Sequence, residues 1–172
     1  MTRLLGSAIA IAAFLGSVTS AEAHCTPGVG YSIIFPSGLA ECGSADNFCW
    51  QVLDMAAATW AQGGGTVRVI TRADTVGTAE ASRLLTDQRA GYLREQLAER
   101  GVSPDQIVID SRGDQDLARP TADEIAEPLN NIASVELPEA FAAARRRHFE
   151  AYLEWAEAER GAGRVPPPYM GC

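Results

Sequence analysis

The chain contains no lysine: all 14 of its positive side chains are arginine. That excludes Schiff-base chemistry on a lysine and a Walker-type phosphate loop, both of which need the ε-amine. Positive charge is scarce as a whole. The formal net charge is −8, and an acidic chain is poorly matched to nucleic acid. The one basic run, Arg145-Arg146-Arg147, stands among Glu139, Glu150 and Glu154 and reads as a solvated helix face. Histidine is limited to His24 and His148. Neither shares a zinc-ligand spacing with a cysteine, and neither accompanies a Ser or Cys nucleophile motif. The sequence therefore argues against an enzyme and implies no metal or cofactor.

Long hydrophobic runs are missing too, except at the start. Met1-Thr2-Arg3 is a short positive opening, and Leu4 to Val18 is an apolar run. Ala21-Glu22-Ala23 then offers small residues at both specificity positions before His24. This is the pattern of a bacterial secretory signal peptide over residues 1–23. The run falls short of the roughly 20 apolar residues that span a bilayer. A lipid-modified cysteine normally follows a small residue, whereas His24 precedes Cys25. The expected destination is the periplasm, with association to the outer membrane or cell wall through a partner.

Cysteine is sparse but even in number: Cys25, Cys42, Cys49 and Cys172. In an exported chain that predicts two disulfides. Cys42–Cys49 is the easy local pair, and Cys25–Cys172 would then join the two ends of the mature chain. Three pairings remain open from sequence. Catalytic thiols usually stand two residues apart, so the wider spacing here points to structure.

The rest of the chain alternates. Tyr31 to Phe35 is a short β-rich run ended by Pro36-Ser37-Gly38. Asp46 or Asn47 can cap a helix from about Phe48 to Ala61, with Phe48, Val52, Met55, Ala56 and Thr59 approximating one face. Thr66 to Thr71 reads as a strand. Thr78 or Thr75 can cap a helix over about Ala79–Arg100, where Ala81, Leu85, Leu93 and Leu97 form a stripe. Arg89 falls inside that stripe, where a charge needs a partner or an opening to water. Gln106 to Asp110 predicts a third strand. Thr121-Ala122-Asp123-Glu124 reads as a capping box for a short helix ended by Pro128. Ala133 to Leu137 predicts a last strand. Such alternation with short links predicts helices packed on one sheet. Beyond it, Pro138-Glu139 opens a helix to about Arg160, with Phe141, Ala144, His148, Tyr152, Trp155 and Ala158 at helical spacing. A proline-rich arm, Val165 to Cys172, follows.

Within this frame, Thr71-Arg72-Ala73-Asp74-Thr75-Val76-Gly77 resembles the G-[HY]-T-D-x-x-G turn of the OmpA-like peptidoglycan-binding domains. Ala81 to Ala90 is similar to that family's Y-N-x-x-L-S-x-x-R-A helix, with Asp74 to Arg89 at the family spacing. Gly101-Val102 and Ile107 match its G-[VI]-x-x-x-x-I pattern, and Gly113 the second glycine of G-x-G-E, with Ser111 in place of the first. Ile33-Ile34-Phe35-Pro36 with Leu39 looks like a degenerate copy of the opening strand. Ile132 to Leu137 stands where the family has N-R-R-V-E-I. Ala73 lacks the usual threonine hydroxyl, Arg72 replaces an aromatic or histidine, and Ser82 replaces asparagine.

The resemblance implies an α+β fold, a two-layer β-α-β-α-β-(α)-β sandwich. It covers residues 31–137, after an N-terminal segment at 24–30 and before a helix at 138–160 and a tail at 161–172. It also implies a non-catalytic module that binds the peptide stem of peptidoglycan. Asp74 and Arg89 would hold the ammonium and carboxylate of diaminopimelate, with Thr75, Ala73 and Ser82 at the pocket edge. A carboxylate suits an ammonium, and a guanidinium grips a carboxylate bidentately. The alternative is a degenerate domain used as a protein-interaction scaffold. Its contact would be the 139–160 helix, with an envelope protein or a second copy as partner.

Overall fold

A computed structural model describes residues 29–43 and 48–169. The signal peptide, His24, Cys25, the cap at Asp46 or Asn47, and Cys172 lie outside the described residues. In chain order the elements are β1 (Gly30–Ile34), α1 (Phe48–Gly63), β2 (Val67–Thr71), α2 (Ala79–Glu99), β3 (Ile107–Ser111), β4 (Ile132–Glu136) and α3 (Pro138–Gly161). Every strand and long helix read from the sequence is present, with ends shifted by a residue or two.

The four strands form one sheet in the order β1-β4-β2-β3. β2 and β3 are parallel, while β4 runs antiparallel to both β1 and β2. Parallel neighbours need a crossover, and α2 supplies it. Ile33, Val67, Val69, Ile107, Ala133 and Val135 point from the sheet into the core. They meet Val52, Leu53 and Ala56 of α1 and Leu93 and Leu97 of α2. On the opposite face of the sheet Ile34 and Val108 are half exposed. This is the expected two-layer α+β architecture with an added C-terminal helix. Among the described residues, no helix is long and apolar enough to cross a membrane.

Three local expectations change. The face of α1 turns by about one position: Cys49, Val52, Leu53, Ala56 and Ala57 are buried, while Phe48 and Met55 are exposed. The Cys42–Cys49 disulfide pulls the first turn of α1 toward the core and so sets that rotation. In α2 the stripe does not begin at Ala81 and Leu85; the buried positions of its first half are Ser82, Thr86 and Arg89. That half packs against a polar site rather than apolar core. The capping box at Thr121 starts no α-helix. Pro128 disfavours helical backbone at Glu127, Glu124 adopts a positive φ of 60°, and a 3-10 turn forms instead over Pro128–Asn130.

α3 packs back on the domain against α1. Its first turn fits because Gly63 has no side chain: a Cβ there would come 2.4 Å from the Ala140 Cα. The Phe141 ring stacks at 5.6 Å from Tyr31. The proline-rich tail then folds along α3. The Tyr152 hydroxyl donates to the Pro167 carbonyl, and the Tyr169 hydroxyl lies 3.0 Å from His148 Nδ1.

Candidate ligand-binding site

The chain leaves β2 at Thr71 and must turn before α2 begins at Ala79. Buried hydroxyls fix that turn from both sides. Thr71 Oγ1 donates to the Thr86 carbonyl at 3.0 Å, and the Gly113 N–H donates to Thr86 Oγ1 at 3.1 Å. The Ala73 N–H donates to the Gly113 carbonyl at 2.7 Å. Thr78 caps α2, its Oγ1 accepting from the Ala81 N–H at 3.2 Å. The turn is thus held between the exit of β3 and the start of α2, which points Asp74 inward.

Asp74 is 5% exposed. Its Oδ2 accepts from Asn131 Nδ2 at 2.6 Å, and its Oδ1 receives only a long contact of 3.4 Å from the Val76 N–H. Asn131 in turn accepts from Arg89 Nη1 through its Oδ1 at 3.1 Å. Asp74 and Arg89 are therefore joined through one buried amide and not by direct ion pairing. The relay also fixes the orientation of the amide, since only one assignment of its oxygen and nitrogen satisfies both neighbours.

Arg89 is fully buried. Its Nε donates to the Leu39 carbonyl at 2.9 Å, Nη1 also to the Arg72 carbonyl at 2.9 Å, and Nη2 to the Pro36 carbonyl at 3.3 Å. Its guanidinium lies 4.9 Å from the centre of the Phe35 ring, a cation–π distance. Four of its five N–H groups thus have protein acceptors. Burial lowers its pKa to about 10, and the charge of Asp74 acts in the opposite sense. The group remains protonated at neutral pH. Two of its acceptors come from one tight turn, Pro36 to Leu39, closed by the Leu39 N–H on the Pro36 carbonyl at 3.2 Å. Gly38 takes the third position with φ 71°, where a side chain would be strained.

A cavity of about 280 Å³ opens between this turn, the Asp74 turn and α2. Asp74, Ala73 and Ser82 line it together with Val76, Leu85 and Gly38. Three of the five residues nominated from sequence therefore share one cavity. Arg89 lies behind its wall. Thr75 faces elsewhere: its hydroxyl donates to the Ala122 carbonyl at 2.7 Å, and its own carbonyl accepts from the Glu124 N–H at 2.9 Å. That clasp brings the Glu124 carboxylate onto the Gly77 N–H at 3.2 Å. Asn131, Glu124 and the 36–39 turn are parts of the site that the sequence did not single out. Asn131 is 57 residues from Asp74, and no local pattern marks one asparagine of a pair as a bridge.

Arg72 stands beside the site and holds another charge. It pairs with Asp116 at 2.9 Å, and Arg112 pairs with Asp110 at 2.8 Å and also with Asp116. The Arg112 hydrogen bond, foremost, draws the Asp110 pKa below its ordinary 3.8, and Arg72 does the same for Asp116. These pairs border a wider, charge-lined hollow of about 690 Å³ between α2 and the loop after β3.

Comparison with known proteins adds a family. Residues 50–131 match the model of the OmpA family. No curated protein matches the chain. Among solved structures, the peptidoglycan-associated lipoprotein from Burkholderia pseudomallei is similar at 21% identity and a TM-score of 0.52, over 61% of this chain and 87% of that one. The OmpA-like domain of FopA1 from Francisella tularensis is similar at 14% identity and a TM-score of 0.53, over 62% of this chain and 69% of that one. At such identities these structures show a shared fold. Together with the family match over residues 50–131, they show an OmpA-like fold in this part of the chain.

Proposed function

We propose that this chain is a non-catalytic periplasmic module that binds the peptide stem of peptidoglycan. Asp74 receives the ammonium of the diaminopimelate side chain, and Arg89 holds Asp74 and the cavity wall in place through Asn131. The observation that carries this reading is the carboxylate itself. Asp74 lines a cavity with one oxygen pinned by Asn131 and the other nearly unpaired. A nine-tenths-buried carboxylate with a vacant lone pair is costly unless a cation completes it. The cavity is small enough for a single amino-acid side chain. A family member named for association with peptidoglycan shares the fold, and the apolar N-terminus and the Cys42–Cys49 disulfide suit an exported protein.

The test is co-sedimentation of the mature protein with purified diaminopimelate-type peptidoglycan, beside Asp74→Ala and Asp74→Asn. Pelleting of the wild type alone is the expected result, with both variants losing at least about tenfold in affinity. A wild type that stays in the supernatant overturns the reading. A scaffold role then takes its place, for which one feature speaks. α3 and the tail frame an apolar groove of about 570 Å³, lined by Tyr152, Trp155 and Pro167, with Trp155 and Phe149 exposed.

A further inference from the structure

Resting on the peptide-stem reading, we infer that the charge-lined hollow between α2 and the loop after β3 is a second subsite, one that takes the sugar to which the stem is attached. The ligand class is a neutral, N-acetylated amino-sugar unit of the glycan strand.

The hollow measures about 690 Å³ and lies where Gly113 carries the loop onto α2. The glycine holds φ 60°, and a Cβ there would stand 3.4 Å from the Arg83 backbone nitrogen. The lining mixes charges of both signs. Asp110, Arg112 and Asp116 are tied to one another. Glu80, Arg83 and Asp114 are not: among the described residues their side chains make no hydrogen bond or ion pair. The hollow therefore presents one free guanidinium beside two free carboxylates. A single ion answers only part of that set. An anion leaves Glu80 and Asp114 without a partner, and a cation leaves Arg83 without one. An apolar group answers none of it. A sugar hydroxyl both donates and accepts without carrying charge. Several on one ring can donate to Glu80 and Asp114 and accept from Arg83, and bonds to charged groups are the stronger kind.

Position says which polyol. Ser82 lines the Asp74 cavity and Arg83 the hollow, so the two flank the start of α2. Residues 77–81 between them are exposed. A helix with its side chains is about 10–12 Å across, and three extended residues reach about 10 Å. A stem whose third residue sets its ammonium on Asp74 thus reaches the hollow with its sugar end. The carboxyl that joins sugar to stem is spent in an amide, so the sugar arrives uncharged. No aromatic ring lines the hollow, and its hold on a free sugar is weak. Attachment to the stem raises the effective concentration of the sugar, and there the subsite adds affinity.

The test is calorimetric titration of the mature protein with two synthetic ligands: the stem tripeptide ending in diaminopimelate, and the same tripeptide carrying its amino-sugar disaccharide. The sugar is expected to tighten binding at least about fivefold. Arg83→Ala and Asp114→Asn are each expected to abolish that gain and to leave the affinity for the tripeptide unchanged, which also shows that the variants are folded. Equal binding of the two ligands overturns the subsite and leaves the peptide-stem reading standing. A gain that survives both substitutions overturns it too, since the sugar is then held elsewhere. A tripeptide that fails to bind, while the sugar-bearing form binds through Arg83, keeps the subsite and overturns the Asp74 reading. Failure of both ligands overturns both.

Discussion

Arg89 holds a full positive charge inside the protein, and neutral acceptors do most of the holding. Three backbone carbonyls, one side-chain amide and one aromatic face surround it. Removing the side chain orphans those buried acceptors, so Arg89→Ala is expected to cost about 3–5 kcal/mol. Urea denaturation measures this, and a loss below about 1 kcal/mol would show that the site is wetter than its burial implies. Because Arg89 is protonated in both folded and unfolded chains around neutrality, it adds no pH dependence there. Asp110 and Asp116 do. Their folded pKa values lie below the ordinary 3.8, so their contribution is present above that value and is lost as pH falls through the folded ones. Stability should therefore decline below about pH 4. Asp116→Asn, which suits the positive φ at that position, should flatten the decline. A thermal-unfolding series between pH 2 and 6 reads both. At this scale the sequence was half legible. The spacing of Asp74 and Arg89 named the two charges, but the amide between them comes from the far end of the domain and follows no periodicity.

At the scale of elements, close approach decides more than pattern does. α3 lies on α1 because Gly63 leaves room for the Ala140 backbone. Gly63→Ala would place a methyl against that Cα, and the helices must separate to admit it. An expected loss of about 1–3 kcal/mol follows, together with greater exposure of Phe141 and Tyr31 to a fluorescence quencher. An unchanged unfolding midpoint would mean that α3 is only loosely docked. Strands and long helices were readable because their apolar periods are set by the one sheet they share. The short helix expected at Thr121 was not. Its local signal was sound, yet Pro128 and the Thr75 clasp impose a different backbone over the same residues. The face of α1 was misjudged by a position for a similar reason. A covalent tie at Cys49, invisible to hydrophobic spacing, sets the rotation of its first turn.

At the scale of the described residues, a sheet packed on helices adjoins a polar corner. The core between sheet and helices is apolar, and the corner at the C-terminal ends of β2 and β3 gathers most of the buried polar groups: Thr71, Asp74, Ser82, Thr86, Arg89 and Asn131. The segment from Phe35 to Cys42 ties core to corner, delivering the Pro36 and Leu39 carbonyls to Arg89 and the Ser37-Gly38 wall to the cavity. Its far end is fixed to α1 by the Cys42–Cys49 disulfide. Closing that short loop restricts the unfolded chain by about 2–3 kcal/mol in the chain-entropy view. The larger effect is local. Opened by a reductant, the bond to α1 is lost and the turn that grips Arg89 loses its second anchor. Reduction should weaken ligand binding more than it changes far-UV circular dichroism, and a Cys42→Ser, Cys49→Ser double variant should behave in the same way. The disulfide thereby makes the finish of this corner depend on the redox state of its surroundings while the sheet does not: an oxidising medium completes it and a reducing one leaves it loose.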